Sequence, residues 1–325
     1  MYPLTFHPIM KRTVWGGRRL GDLLGKPIGP ENDYAESWEI VDHGESNSKI
    51  IGGPWGGRTL RDVICDRNAS VLGSYAGIES FPLLLKYLDC NRVLSVQVHP
   101  DDHYAMQMPQ PDLGKTEAWY IVDAAPGSKV YAGLRSGVDR KSLQQAIAAG
   151  CTEDVLHVFE PRPGQCIFIP AGTVHALGGG LVVAEIQQSS DTTFRLFDWN
   201  RVGDDGWPRQ LHIEQALDVT NYSIGPIKPQ TPQADADGME TLVRCDKFVL
   251  KQAILGSTLQ SKTVSIGNLN SPVIMTVVKG AATLDFDDGW RCDAPIGQSF
   301  LIPASTPTIE LSSASDAVLL LAYLP

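Results

Sequence analysis

The sequence contains no CxxC pair, and its six cysteines, Cys65, Cys90, Cys151, Cys166, Cys245 and Cys292, are scattered through 325 residues. This spacing excludes a four-cysteine zinc module and argues against a disulfide framework. Reduced thiols in a reducing compartment fit it better. No apolar run approaches the length that spans a bilayer. The opening stretch MYPLTFHPIMKRTVWGG also lacks the basic-then-apolar design of a secretion signal. The expectation is therefore a soluble cytoplasmic protein with no membrane partner. Positive charge is scarce as well: 27 Lys and Arg stand against 37 Asp and Glu, a net charge of -10. That balance disfavours nucleic acid as a partner, and any anionic ligand would need a local basic pocket. What remains is an ordinary globular composition, 43% hydrophobic and 20% charged, in a chain long enough for two domains.

Short β-branched and aromatic runs recur between Gly, Pro and Asp: RVLSVQVHP, EAWYIVDAAPG, SKVYAGL, QCIFIPAG, LVVAEIQQ and TTFRLFDW. They predict an all-β sandwich or barrel. Helical pattern is sparse, with one helix expected over 140–150 and another over 212–220. Residues 223–237, SIGPIKPQTPQADAD, read as a linker. The chain also repeats itself, for GQCIFIPAGTVHAL (164–177) aligns with GQSFLIPASTPTIEL (297–311). Such similarity predicts two copies of one β-unit. His175 falls on Thr308, so only the first copy keeps a metal-competent side chain.

Within VQVHP, side chains alternate across the strand, so Ser95, Gln97 and His99 share one face. Gln97 and His99 then stand roughly 6–7 Å apart and can reach one ion. In GKTEAWYIV, Lys115, Glu117 and Trp119 share a face. The proline and glycine of IPAGTVHAL form a turn that delivers His175. His99, Glu117 and His175 make a His₂Glu set of the kind that holds catalytic zinc with an open position, one Zn²⁺ per chain. Neutral histidines and one carboxylate leave such a site cationic, suited to polarising a carbonyl.

The spacing Gly164, Pro170, Gly172, His175 resembles the second motif of the cupin superfamily. More narrowly, QVHPDD, GKTEAWY, IPAGTVHAL, SSDTTFRLFDW, FPLLLKYLD and ESWEIV resemble the bacterial class of type I mannose-6-phosphate isomerases. The resemblance implies an all-β fold of two jelly-roll barrel units with a few short helices. Residues 1–222 would form the catalytic cupin domain with a short helical insert, 223–237 a linker, and 238–325 a degenerate second unit. It also implies interconversion of mannose 6-phosphate and fructose 6-phosphate through an enediol, in a monomer or weak homodimer. Another metal-dependent cupin enzyme and a non-catalytic sugar-binding cupin are the alternative readings.

On that reading, zinc on His99, Glu117 and His175 is the electrophile, and Gln97 binds it directly or through water. Glu185, ten residues before Arg195, is either the general base or a buried partner of Arg195. Arg195 is either a core ion-pair member or a clamp on substrate oxygens. Lys115 is a candidate for substrate oxygens or phosphate, and Asp191 for ring opening or a turn cap. Lys86 looks buried and is a weaker candidate for the same role, or else its stem snorkels. Trp15, Trp38 and Glu39 line the sugar pocket or, as the favoured expectation, belong to the core. His7, His43, His103, His157 and His212 are expected bystanders, although His103 is close enough to HPDD in sequence to stand behind the ligands.

Overall fold

The computed structural model describes residues 2–202, 206–236, 238–256, 260–287 and 289–325. Its regular structure is mostly antiparallel β-sheet with a few short helices. The N-terminal part builds two facing sheets. One has six strands in the order Cys166–Ile169, Glu117–Ala124, Leu181–Gln188, Leu83–Cys90, Tyr34–Ile40 and Ile9–Gly17. The other has five, in the order Leu156–Phe159, Val130–Leu134, His175–Leu177, Val96–Val98 and Phe194–Phe197. Beyond residue 232 the chain builds a six-stranded and a four-stranded sheet in the same way.

The two six-stranded sheets lie back to back. Leu83, Leu85, Tyr87, Ala118, Tyr120, Ala184 and Ile186 share one core with Leu242, Leu250, Ile274, Leu320 and Ala322. Tyr87 Oη and Thr276 Oγ1 hydrogen-bond across this seam at 2.6 Å. Residues on the opposite face of the first sheet, among them Leu88, Trp119, Ile121 and Val183, pack toward the five-stranded sheet. A sheet covered on both faces has no solvent side, which is why LLLKYLDC and LVVAEIQQ are buried at every position.

The sequence repeat is also a backbone repeat. Gly164 and Gly297 take left-handed φ values of 88° and 86°, a conformation open to glycine. Each precedes a strand, Cys166–Ile169 or Ser299–Ile302, and His175 and Thr308 each open the next one. The expected helices appear as Arg140–Ala148 and Ile213–Val219. A longer helix, Leu60–Leu72, was not expected. Its buried residues fall at its two ends, and the polar middle carries a kink at Arg67, so no continuous helical period shows in the sequence. The segment at 223–237 is strapped down rather than loose: Ile227 N donates to Ala132 O and Gln230 N to Cys166 O. Its last residue, Asp237, lies outside the described residues.

Candidate metal centre and substrate cavity

Strand pairing brings the distant motifs together. His175 lies opposite Gln97, and Gln97 opposite Arg195, in the five-stranded sheet. In the six-stranded sheet Glu185 lies between Trp119 and Lys86, and Glu117 is paired with Ile169 and Gln187. The facing sheets enclose a cavity of about 570 Å³, lined among others by Gln97, Lys115, Glu117, His175, Glu185, Asp191 and Arg195. That volume suits a small phosphorylated sugar.

At one end His99, Glu117 and His175, all buried, hold their ligand atoms within 4.8 Å of one another. Glu117 Oε2 is 3.5 Å from His99 Nε2, and Oε1 is 3.4 Å from His175 Nε2. Two ligands at about 2.0–2.1 Å from a tetrahedral zinc stand about 3.3 Å apart, so the spacing fits. Each histidine donates from Nδ1 to a backbone carbonyl, His99 to Thr192 at 2.9 Å and His175 to Thr173 at 2.8 Å. Both Nε2 lone pairs are thereby turned toward Glu117. Burial pushes the His99 pKa well down and that of His175 to about 4, so both are neutral, as metal ligands must be. Glu117 Oε2 lies 3.4 Å from Lys115 Nζ yet makes no hydrogen bond in aligned geometry. A buried carboxylate oxygen left this way costs on the order of 1–3 kcal/mol, a cost a bound cation removes. Gln97 Nε2 is 3.3 Å from His175 Nε2; rotating the amide presents its oxygen to the same point.

Behind the His–Glu–His group runs a chain of alternating charge. Lys86 Nζ stands 3.3 Å from Glu36 Oε2 and 3.2 Å from Glu185 Oε1, and Lys115 Nζ is 4.0 Å from Glu185 Oε1. Burial alone would lower the Lys86 pKa, but Glu185 and Glu36 outweigh it and the group stays protonated. Glu185 is raised above the usual carboxylate range, first by burial and then by the charge of Glu117. Trp119 Nε1 donates to its other oxygen at 3.1 Å.

Several open alternatives separate here. Glu185 is not the partner of Arg195; it belongs to Lys86 and Lys115. Lys86 does not snorkel to solvent but points into the cavity. Trp15 lines the cavity, whereas Trp38 packs with Val41 and Leu84 and donates to Glu36. Glu39 pairs with Lys26 on the opposite face, and Glu36 takes the place in the wall. Arg195 is no core ion-pair member: its Nε donates to Ser95 Oγ and its Nη1 to Gln210 O. Asp191 is exposed at the rim. His103 meets Gln107 and does not line the cavity. Arg209, beside Arg195 in the wall, was not anticipated; it sits in irregular chain where periodicity gives no signal. Ser95 was legible from the alternation that pairs it with Gln97.

The family model for the catalytic domain of type I phosphomannose isomerase matches residues 4–126. A probable mannose-6-phosphate isomerase of Bacillus subtilis is 35% identical over 308 residues, covering 93% of this chain and 94% of that one. The chain belongs to the type I mannose-6-phosphate isomerases. The mannose-6-phosphate isomerase of Streptococcus mutans is 37% identical over 265 residues, 80% of this chain and 82% of its own. The crystal structure of the Bacillus subtilis mannose 6-phosphate isomerase superposes with a TM-score of 0.88 at 30% identity, covering 99% of both chains. The buried His99, Glu117 and His175 group beside the cavity is the feature of this chain that demands a chemical role. No helix among the described residues is long and apolar enough to cross a membrane.

Proposed function

We propose that the protein interconverts mannose 6-phosphate and fructose 6-phosphate through an enediol, with one Zn²⁺ held by His99, Glu117 and His175 and joined by Gln97. The observation that carries this reading is the buried His–Glu–His triad, of which Glu117 and His175 line a cavity of sugar-phosphate size. Bound there, the zinc supplies electrophilic polarisation of the substrate's carbonyl and hydroxyl oxygens. The cavity wall carries four cations, Lys86, Lys115, Arg195 and Arg209, against four carboxylates, Glu36, Glu117, Glu185 and Asp191. A divalent ion makes this balance +2, which matches a phosphate dianion inside a protein of net charge -10.

Arg195 and Arg209 both reach Ser95 Oγ, two residues along the strand from Gln97. Ser95 thus stands about 7 Å along the chain from Gln97, and this fork of donors is the reading for the phosphate. Glu185 is the base that moves the proton between the two carbons, its raised pKa bringing it closer to neutral pH. Lys115 orients sugar oxygens beside Glu185, and Asp191 at the rim assists ring opening.

We read residues 1–222 as the catalytic jelly-roll unit, 223–237 as the linker and 238–325 as a second cupin unit without metal ligands. A monomer or weak homodimer remains the expected assembly, and six free cysteines suit the cytoplasm. A coupled assay for fructose 6-phosphate formation tests the reading. Turnover should vanish on chelation and return with zinc, and His175→Ala should lose both bound zinc and turnover. Full activity in metal-stripped protein would overturn it.

A further inference from the structure

The two histidines of the metal centre are oriented by carbonyls of different origin. His175 Nδ1 donates to Thr173 O, two residues away in its own turn. His99 Nδ1 donates to Thr192 O, from a segment 93 residues distant in sequence. Residues 190–193 have no regular backbone structure, so this carbonyl can orient His99 only if something holds the segment. Asp112 does. Its Oδ2 accepts from Thr192 Oγ1 at 2.7 Å and from Ser190 Oγ at 2.8 Å. Its Oδ1 is itself fixed by Leu113 N at 2.8 Å. Ser190 Oγ in turn accepts from Thr192 N at 3.2 Å. The same turn presents Asp191 to the cavity, while Asp112 lies outside the cavity wall with its side chain 13% exposed.

We infer that Asp112 is a positioning residue of the metal centre, clamping the Ser190–Thr192 turn so that the Thr192 carbonyl holds His99 with Nε2 toward Glu117. This rests on the metal reading above. Asp112 touches neither ion nor substrate; it acts through Thr192. A hydrogen-bond partner that orients a ligating histidine characteristically changes metal affinity by about 10- to 100-fold when lost.

Zinc affinity, measured by competition with a chromogenic chelator, is the test. Asp112→Ala is expected to weaken zinc by about tenfold or more, with activity returning at saturating zinc. Asp112→Asn keeps an oxygen that accepts from both hydroxyls but turns its NH2 toward Leu113 N, so its loss of zinc affinity should be clearly smaller than that of Asp112→Ala. Thr192→Val keeps the carbonyl but removes one tether, and an intermediate loss is expected. If Asp112→Ala does not fold, Thr192→Val and Ser190→Ala carry the measurement. A lowered melting temperature with unchanged zinc affinity in these variants would assign Asp112 a merely structural role and overturn the inference. Wild-type protein that bound no divalent ion would overturn the metal reading and this inference with it.

Discussion

Arg195 and Glu185 each had two roles open in the sequence, and their neighbours separate them. Arg195 has a hydroxyl, a carbonyl and a second arginine around it, and it feels Asp198, which is itself paired with Arg209 and Arg201. An arginine facing another arginine in a cavity is poised for an anion. Arg195→Ala should therefore keep zinc while kcat/KM falls at least about tenfold, a loss of about 1.4 kcal/mol of transition-state stabilisation. An unchanged kcat/KM would return it to a structural role. Glu185 is raised by burial, and a base works when deprotonated. The rate should therefore fall as pH drops through a value above the ordinary carboxylate range. Glu185→Gln should cut the rate by about 10²-fold or more and remove that acid limb. A variant with the wild-type pH–rate profile would eliminate Glu185 as the base.

At the scale of elements, the turn between Ile169 and His175 does more than reverse the chain. Gly172 N donates to His99 O at 2.8 Å, and Asn221 N donates to Gly172 O at 2.9 Å. One residue thus ties the segments of both histidine ligands to the end of the Ile213–Val219 helix. Gly172 has a φ of 83°, and an added Cβ would meet Asn221 Cβ at 3.0 Å and Val219 O at 3.1 Å. Gly172→Ala should lower stability by about 1–3 kcal/mol. Denaturant midpoints and chelator competition should both register it, because the strain falls between two metal ligands. In the repeated segment 297–311 the aligned residue is Ser305, and Thr308 stands where His175 does. The motif was readable as a turn from its proline and glycine. That it also braces His99 was not, because backbone bonds between distant segments carry no side-chain signature.

Across the whole molecule, the candidate metal site is a set of ionisable groups buried between two sheets. Folding lowers the pKa of both histidines, first through burial. In metal-free protein the unfolded state therefore binds more protons between the unfolded histidine value of about 6.5 and the folded values. Their contribution to stability is present above about pH 6.5 and is lost as pH falls toward the folded pKa, by about 1.4 kcal/mol per pH unit for each histidine. Glu185, raised on folding, opposes this in the lower part of the window. Chelator-treated protein should thus melt at progressively lower temperature as pH drops from 6.5 toward 4.5. Replacing His175 by Gln should flatten the curve, and an equally steep curve in that variant would contradict the assignment.

The β character, the repeat, the two shorter helices and the shared faces of Ser95, Gln97 and His99, and of Lys115, Glu117 and Trp119, were legible from periodicity. Alternation along a strand is a local property, and local chain chemistry dictates it. Which strands become neighbours is not local. Lys86 lies between Glu36 and Glu185, Arg209 beside Arg195, and Asp112 against Thr192 because sheet pairing and loop packing join segments far apart in the chain. Burial then decides protonation and partner, so the same glutamate that could have matched an arginine matches two lysines instead.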